Sequence, residues 1–355
     1  MERAERQSNI ELLRILTMCG VVILHYNNET MGGGIAYATG LNLYILYFLE
    51  SIFICAVNLF VLISGYFMCE RQKRTLAKPF ELLVQVVLFN ELLYFASTMV
   101  YHESISIKHI IGRLIPANWF VILYITLYLI SPFLNMVICK MESPEKFEKF
   151  VRLLVLLFSV YPTLVDILCG VTHKEFLGLS SIGMYGSQWG YTIVNFSVMY
   201  VIGAYLRKQS DNVCVKKHVI RFLTMAIVLT VWAIIGSKFN VDTGRNAWEY
   251  CNPLVILMAI EAFQLFRKIN IGCNRVINYF AKASFTVYLL HAYLFRFLSI
   301  PQFVTKNAVV MILHMMICVS LIYLICSLVH EIYNKMTAPI FEMLFEKTVF
   351  KRELF

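Results

Sequence analysis

The chain has 355 residues, of which 59% are hydrophobic and only 15% are charged. Soluble globular proteins contain about 45–50% apolar and about 25% charged residues, so this composition excludes a soluble protein and predicts a multi-pass membrane protein. The net charge of +9 does not indicate nucleic-acid binding, because the basic residues flank apolar segments and form no single patch. The ten cysteines form no Cys-x-x-Cys pair, and no metal site is predicted.

Ten apolar segments are long enough to cross a bilayer. Their approximate bounds are 10–26, 43–68, 79–100, 118–139, 150–170, 188–206, 219–236, 252–267, 279–298 and 308–333. The sequence contains no internal repeat and no separate soluble domain. We therefore expect an all-α fold of about ten transmembrane helices in a single domain, residues 1–355.

Lysine and arginine are concentrated in both terminal tails and in every second connection between the spans. The positive-inside rule therefore predicts a protein of the cytoplasmic membrane with both termini in the cytoplasm. Three outer connections, 27–42, 171–187 and 237–250, either gate access from outside or are plain loops; the first contains a flexible triglycine. The first apolar segment resembles a signal peptide, but the arginine inside it favours a retained span.

The first span carries two polar residues, Arg14 near its start and His25 near its end. They are eleven positions apart, so both project from one helical face, about 16 Å apart along the axis. Arg14 at the cytoplasmic end suits phosphate binding, because its planar fork donates paired hydrogen bonds. The alternative is an arginine that reaches the headgroups beside Glu11. His25 at the outer end either accepts a proton from a hydroxyl group or only satisfies a backbone carbonyl.

Further candidates lie in the second, third and fourth spans. Asn58 is a polar residue in an apolar helix, and Arg71 and Arg74 follow that helix on the cytoplasmic side. The two arginines either bind phosphate or only set the topology. Glu50 and Glu91 are carboxyl groups at membrane depth, and either could orient a histidine. The fourth span begins with aromatic residues, including Trp119, that form an interfacial belt or line a pocket.

The ninth span carries a second polar face. Ser284, Tyr288 and His291 are spaced by four and three positions and therefore share one side of the helix. We predict that Tyr288, Ser284, Trp119 and Asn58 contact the substrate. His291 lies in the outer half of the membrane and competes with His25 for the role of catalytic base.

These motifs together resemble the acyltransferase-3 family of integral membrane O-acyltransferases. The matching features are the Arg14–His25 spacing, a second span ending in VNLFVLISGYF, the Arg71-x-x-Arg74 motif and the late block SFTVYLLH. The resemblance covers the whole chain. It departs from the family at Asn58, where many members have an acidic residue or glycine nearby.

The resemblance implies acyl transfer, most readily of acetyl, from cytoplasmic acyl-CoA to a sugar hydroxyl of a surface or lipid-linked glycan. Arg14, Arg71 and Arg74 would bind the polyanionic coenzyme, and His25 would be the general base. Acyl-CoA is then a co-substrate, and no tightly bound cofactor is expected. Two other functions stay open: a transporter or flippase for a lipid-linked glycan, and a non-catalytic partner of a polysaccharide synthase. A transporter of this kind would be expected to contain inverted repeats, and none is visible.

Overall fold

The computed structural model describes residues 7–71, 73–102, 104–141, 143–174, 176, 179, 188–239, 241–347 and 350. Within these ranges the chain is helical and contains no β-strand, which confirms the all-α class. The α-helices are α1 Ser8–Asn27, α2 Gly34–Tyr37, α3 Gly40–Phe53, α4 Ala56–Met68, α5 Ala77–Tyr101, α6 Ile107–Arg113, α7 Trp119–Cys139, α8 Pro144–Val155, α9 Tyr161–Thr172, α10 Ile193–Lys208, α11 Val215–Phe239, α12 Val241–Arg245, α13 Pro253–Lys268, α14 Arg275–Lys282, α15 Ser284–Leu294, α16 Ile300–Val304 and α17 Ala308–Lys347.

Seven helical segments among the described residues are long and apolar enough to cross a membrane. They are Ser8–Asn27, Gly40–Met68, Ala77–Tyr101, Trp119–Cys139, Pro144–Thr172, Val215–Phe239 and Ala308–Phe345. Each coincides with one of the ten predicted spans, so the protein is a multi-pass membrane protein. The count of ten and the cytoplasmic position of the termini stay predictions.

The other three predicted spans correspond to shorter helices. α10 and α13 have 16 residues each, and α14 and α15 have 8 and 11 residues with a break at Ala283. At about 1.5 Å per residue, a 16-residue helix is about 24 Å long, less than the roughly 30 Å of a bilayer core. The predicted span 252–267 agrees with α13, whereas the predicted span 188–206 begins before α10 does at Ile193 and the predicted span 279–298 is divided at Ala283.

A close contact between backbones joins α4 to α10. A Cβ atom on Gly65 would lie 2.1 Å from the Tyr200 carbonyl oxygen, and one on Gly203 would lie 2.1 Å from the Leu62 carbonyl oxygen. Only glycine fits at either position. Small residues at such crossings let membrane helices approach closely, as the Ser64–Gly65 pair suggests.

The first helix lies between two apolar clusters. Ile10 and Leu13 near its start pack in a cluster built largely from α4, α10 and α13. Met18 and Val22 in its C-terminal half pack in a second cluster with residues of α15 and α17. Neighbouring helices on both sides therefore fix the positions of Arg14 and His25.

Candidate active site

The structure brings His25 of α1 and His291 of α15 into direct contact. Their rings are stacked, with centroids 4.6 Å apart and planes inclined by 15°. His25 Nδ1 and His291 Nε2 form a hydrogen bond. Two predicted catalytic residues that are 266 positions apart in the chain are therefore side by side.

The hydrogen bonds of this pair define which ring nitrogens carry protons. His291 Nδ1 lies 2.9 Å from the Val287 carbonyl oxygen, which only accepts, so Nδ1 must carry the hydrogen. In a neutral ring His291 Nε2 is then an acceptor, and His25 Nδ1 donates to it. The lone pair of His25 therefore lies on Nε2, for which the described residues provide no hydrogen-bond partner. His25 as a whole is half-buried.

The triglycine is packed onto the end of α1. The backbone N–H of Gly32 donates to the His25 carbonyl oxygen at 3.0 Å. A Cβ atom on Gly32 would lie 2.3 Å from the Tyr26 carbonyl oxygen, and Gly33 adopts φ 77°. Glycine is thus required for close approach and for a left-handed turn. Tyr26 is fully buried, and its hydroxyl group is 3.0 Å from His314 Nδ1. These contacts hold the backbone around His25.

An aromatic cluster adjoins the histidine pair. The Tyr288 ring lies 6.2 Å from the His291 ring and 5.2 Å from Phe120. Trp119 lies 4.5 Å from Tyr191, which lies 4.8 Å from Tyr250. We define the aromatic cluster as Trp119, Phe120, Tyr191, Tyr250 and Tyr288.

The aromatic cluster has both accessible and anchored members. Trp119 is 37% exposed and Tyr191 is 40% exposed. The Tyr288 hydroxyl group is anchored, because it donates to Asn118 Oδ1 at 2.7 Å. Two predicted substrate-binding residues, Trp119 and Tyr288, therefore lie in one cluster beside His291.

A turn with an unusual backbone precedes Tyr191. Gln188 and Trp189 have φ of 45° and 56°, a left-handed conformation that non-glycine residues rarely adopt. The Trp189 carbonyl oxygen accepts a hydrogen bond from the Tyr250 N–H at 2.9 Å. A Cβ atom on Gly190 would lie 2.6 Å from the Cys251 nitrogen. The turn thus packs against residues 250–251 and places Tyr191 beside Tyr250.

The Asn58 side chain holds the backbone of Tyr250. It is fully buried, and its amide donates to the Tyr250 carbonyl oxygen at 2.8 Å. Its oxygen accepts from Asn195 Nδ2 at 3.1 Å. Both ends of its amide are therefore occupied by protein. Asn58 positions Tyr250, and its predicted contact with substrate stays a prediction.

Ser284 also lies apart from the aromatic cluster. Its hydroxyl group is 3.1 Å from the Tyr323 hydroxyl group of α17, and Ser284 is buried. Although it shares a face of the ninth predicted span with Tyr288 and His291, it links two helices. A shared helical face predicted proximity, but each of the three residues meets a different neighbouring helix.

On the opposite side, the two arginines of the Arg-x-x-Arg motif have different surroundings. Arg74 is buried, with 3% exposure. Its Nε donates to Ser131 at 2.9 Å, its Nη1 to the carbonyl oxygens of Arg71 and Lys73 at 3.0 Å each, and its Nη2 to Met68 at 3.3 Å. Met68 is the last residue of α4, and a cation is favourable at a helix C-terminus. Arg74 thus closes the end of α4.

Arg71 and Arg14 keep donors available. The Arg71 side chain is exposed. Arg14 is 33% exposed and pairs with Glu11 at 3.1 Å through Nη1, as the headgroup alternative required. No described residue accepts a hydrogen bond from its other nitrogens. Arg14 and Arg71 fit a polyanion better than Arg74 does.

Two carboxyl groups at membrane depth also differ. Glu50 Oε2 accepts a hydrogen bond from Asn27 Nδ2 at 2.9 Å. Both oxygens of Glu91 are buried without a hydrogen-bond partner among the described residues. The structure thus connects Glu50, through Asn27, to the helix that carries His25, and it gives Glu91 no such connection.

A family model described as an acyltransferase domain, acyltransferase-3, matches residues 7–331. The chain belongs to the acyltransferase-3 family. It is a membrane acyltransferase, and both predicted catalytic histidines lie within the matched residues. No curated protein and no solved structure matches this acyltransferase.

The sequence did not indicate several residues of the acyltransferase site. Asn27, Asn118, Tyr191 and Tyr250 lie at helix ends or in connections, where apolar periodicity carries no information. One local signal is visible for some of them: Asn118, Tyr191 and Tyr250 each lie in a short segment that combines aromatic residues with asparagine or glycine. Among the described residues, no group of three or more His, Cys, Asp or Glu could hold a metal ion.

Proposed function

We propose that this acyltransferase transfers an acetyl group from cytoplasmic acetyl-CoA to a sugar hydroxyl of a surface or lipid-linked glycan, in the cytoplasmic membrane. The observation that supports this proposal best is the hydrogen-bonded histidine pair. Its bonds leave one lone pair, on His25 Nε2, beside an aromatic cluster of the kind that a sugar ring can stack upon.

In the proposed reaction His25 is the general base. Nε2 takes the proton of the acceptor hydroxyl group as that oxygen attacks the thioester carbon. The carbon–oxygen ester bond forms, the carbon–sulfur bond breaks, and the protonated imidazole returns its proton to the departing thiolate. His291 accepts a hydrogen bond from His25 Nδ1 throughout, which stabilises the imidazolium that forms.

The donor would bind from the opposite end of α1. Arg14 and Arg71 present guanidinium groups that suit the phosphates of coenzyme A. The pantetheine arm would extend along α1, because Arg14 and His25 share one helical face about 16 Å apart. In this arrangement the phosphates of coenzyme A bind at one end of α1, and the thioester carbon reacts at the other end.

The proposal is tested with His25→Ala and His291→Ala, and with His109→Ala, an exposed histidine of α6, as the matched control. Glycan acetylation is measured by mass spectrometry in cells that lack the gene and carry each variant at the same membrane level. His25→Ala should lower the rate by about 10² to 10⁴, the usual effect of losing a general base. It should still bind acetyl-CoA, and His109→Ala should match the parent.

Three outcomes would contradict the proposal in different ways. If His25→Ala acetylates near the parental rate and His291→Ala is inactive, His291 is the base. If both variants remain active, the histidine mechanism fails. If the parental protein restores no acetyl group to the glycan, the acyl group or the acceptor differs from the one proposed.

A further inference from the structure

One face of α3 meets the segment that carries Tyr250. Tyr47, Glu50 and Ser51 share this face, since they are three and four positions apart. The Tyr47 ring lies 5.0 Å from the Trp248 ring, and Trp248 Nε1 donates to Ser51 Oγ at 3.0 Å. Glu50 therefore lies in a face anchored on residues 246–250. The same segment carries Tyr250, whose ring lies 4.8 Å from the Tyr191 ring.

The hydrogen bonds of Glu50 and Asn27 are incomplete. Glu50 is half-buried, and Oε2 accepts from Asn27 Nδ2, but Oε1 has no partner among the described residues. Asn27 is fully buried, and its Oδ1 also lacks a hydrogen-bond partner there. A buried polar group without a partner is costly, so a ligand that supplies hydrogen-bond donors would be stabilised at this position.

We propose that Glu50 and Asn27, with the hydroxyl groups of Tyr191 and Tyr250, bind the hydroxyl groups of an uncharged sugar ring of the acceptor. The inference rests on the acyl transfer proposed above and specifies its substrate class. The aromatic cluster connects this position to the histidine pair, through Tyr288 and His291. One ring of the acceptor would thus be held while a neighbouring hydroxyl group reaches His25 Nε2.

The chemistry of this group of side chains selects against an acidic sugar. The carboxyl, amide and phenol groups of Glu50, Asn27, Tyr191 and Tyr250 offer acceptors and donors, and none of these four side chains is a cation. A uronic acid or a phosphorylated sugar would bring a charge that no member of the group compensates. Hydroxyl groups of an uncharged ring match these partners without that penalty.

The experiment uses the purified full-length protein, acetyl-CoA as the donor, and glycan prepared from cells that lack the gene as the acceptor. In Glu50→Gln the amide oxygen still accepts the hydrogen bond from Asn27 Nδ2, but an NH₂ group replaces the acceptor oxygen Oε1. This variant should raise KM for the glycan about tenfold and leave KM for acetyl-CoA unchanged. The matched control is Glu29→Gln, because Glu29 is an exposed carboxylate paired with Arg245 at 3.1 Å. Its KM values should equal those of the parent.

A glycan KM within twofold of the parent in Glu50→Gln would overturn the inference, and so would a parallel rise in KM for acetyl-CoA. If Glu50→Gln does not accumulate, Tyr191→Phe takes its place. It should raise KM for the glycan threefold or more, and an unchanged value would overturn the inference.

Fragmentation of the product by mass spectrometry should place the acetyl group on an uncharged part of the glycan. An acetyl group on or beside a uronic acid would overturn the choice of sugar while leaving acyl transfer intact. No transfer by the parental protein would overturn both proposals.

Discussion

The two ends of α1 carry paired motif residues that are used in different ways. At the His25 end, the two histidines bond to each other, and their mutual bonds leave one nitrogen for chemistry. At the Arg14 end, Arg71 and Arg74 differ. Arg74 donates its hydrogen bonds to other groups of the protein, whereas the Arg71 side chain is exposed. The comparison teaches that two residues of one short motif can have unrelated roles, and that counting donors distinguishes them.

The largest expected effect concerns which end of α1 faces the cytoplasm. Reporter enzymes fused after Lys78 and after Arg207 should be active only in the cytoplasm, and a fusion after Thr30 should be active only outside, because basic residues stay inside. The response of each fusion is all or none. A cytoplasmic signal after Thr30 would place the histidine pair on the donor side and remove the basis for comparing the ends.

The second prediction separates the two arginines of the motif by stability. Arg74→Ala removes a buried guanidinium group and leaves carbonyl oxygens of the α4 end unpaired. The free energy of unfolding should fall by more than about 2 kcal/mol, since hydrogen bonds to charged groups contribute about 1.5–3 kcal/mol each. Membrane accumulation and the melting temperature in detergent measure this change.

Arg71→Ala is the matched control for Arg74→Ala, because its side chain is exposed and its carbonyl oxygen is retained. It should leave the melting temperature unchanged and weaken acetyl-CoA binding. Equal losses of melting temperature in the two variants would show that the arginines share one structural role.

The third prediction concerns binding of the donor at Arg14. Arg14→Ala should weaken acetyl-CoA binding about ten- to a hundredfold, in line with the loss of one charged hydrogen bond. Arg14→Lys should restore only part of the affinity, because a point charge lacks the planar fork. Binding is measured by titration of the purified protein, with His25→Ala as the comparison that should keep full affinity. An unchanged affinity in Arg14→Ala would assign Arg14 to headgroup contacts and Glu11 pairing.

The fold and part of the site could be predicted because their signals are local. Long apolar segments predict helices, and the spacing of Arg14 and His25 places both on one face of a single helix. The contact between His25 and His291 depends on the packing of α1 against α15. No periodicity in the sequence relates residues that are 266 positions apart. Helix ends were less predictable: α10 begins at Ile193, after the start of its predicted span, and the ninth predicted span is divided at Ala283.

The role of Asn58 shows why the rest could not be predicted. A polar residue in an apolar helix indicates a polar partner, but both substrate and backbone provide such partners, and the sequence is the same in either case. Here the partners are the Tyr250 carbonyl oxygen and Asn195. Arg74 gives the same lesson, since its partners are carbonyl oxygens, which every residue possesses and no sequence pattern marks.

The turn at Gln188–Trp189 has a consequence for cooperativity. Two successive non-glycine residues in left-handed conformations cost about 1–3 kcal/mol each, so an isolated segment would not adopt this turn. The Tyr250 N–H bond to Trp189 and the close packing of Gly190 on Cys251 offset that cost. We therefore expect Tyr191 and Tyr250 to become ordered together, in one cooperative transition.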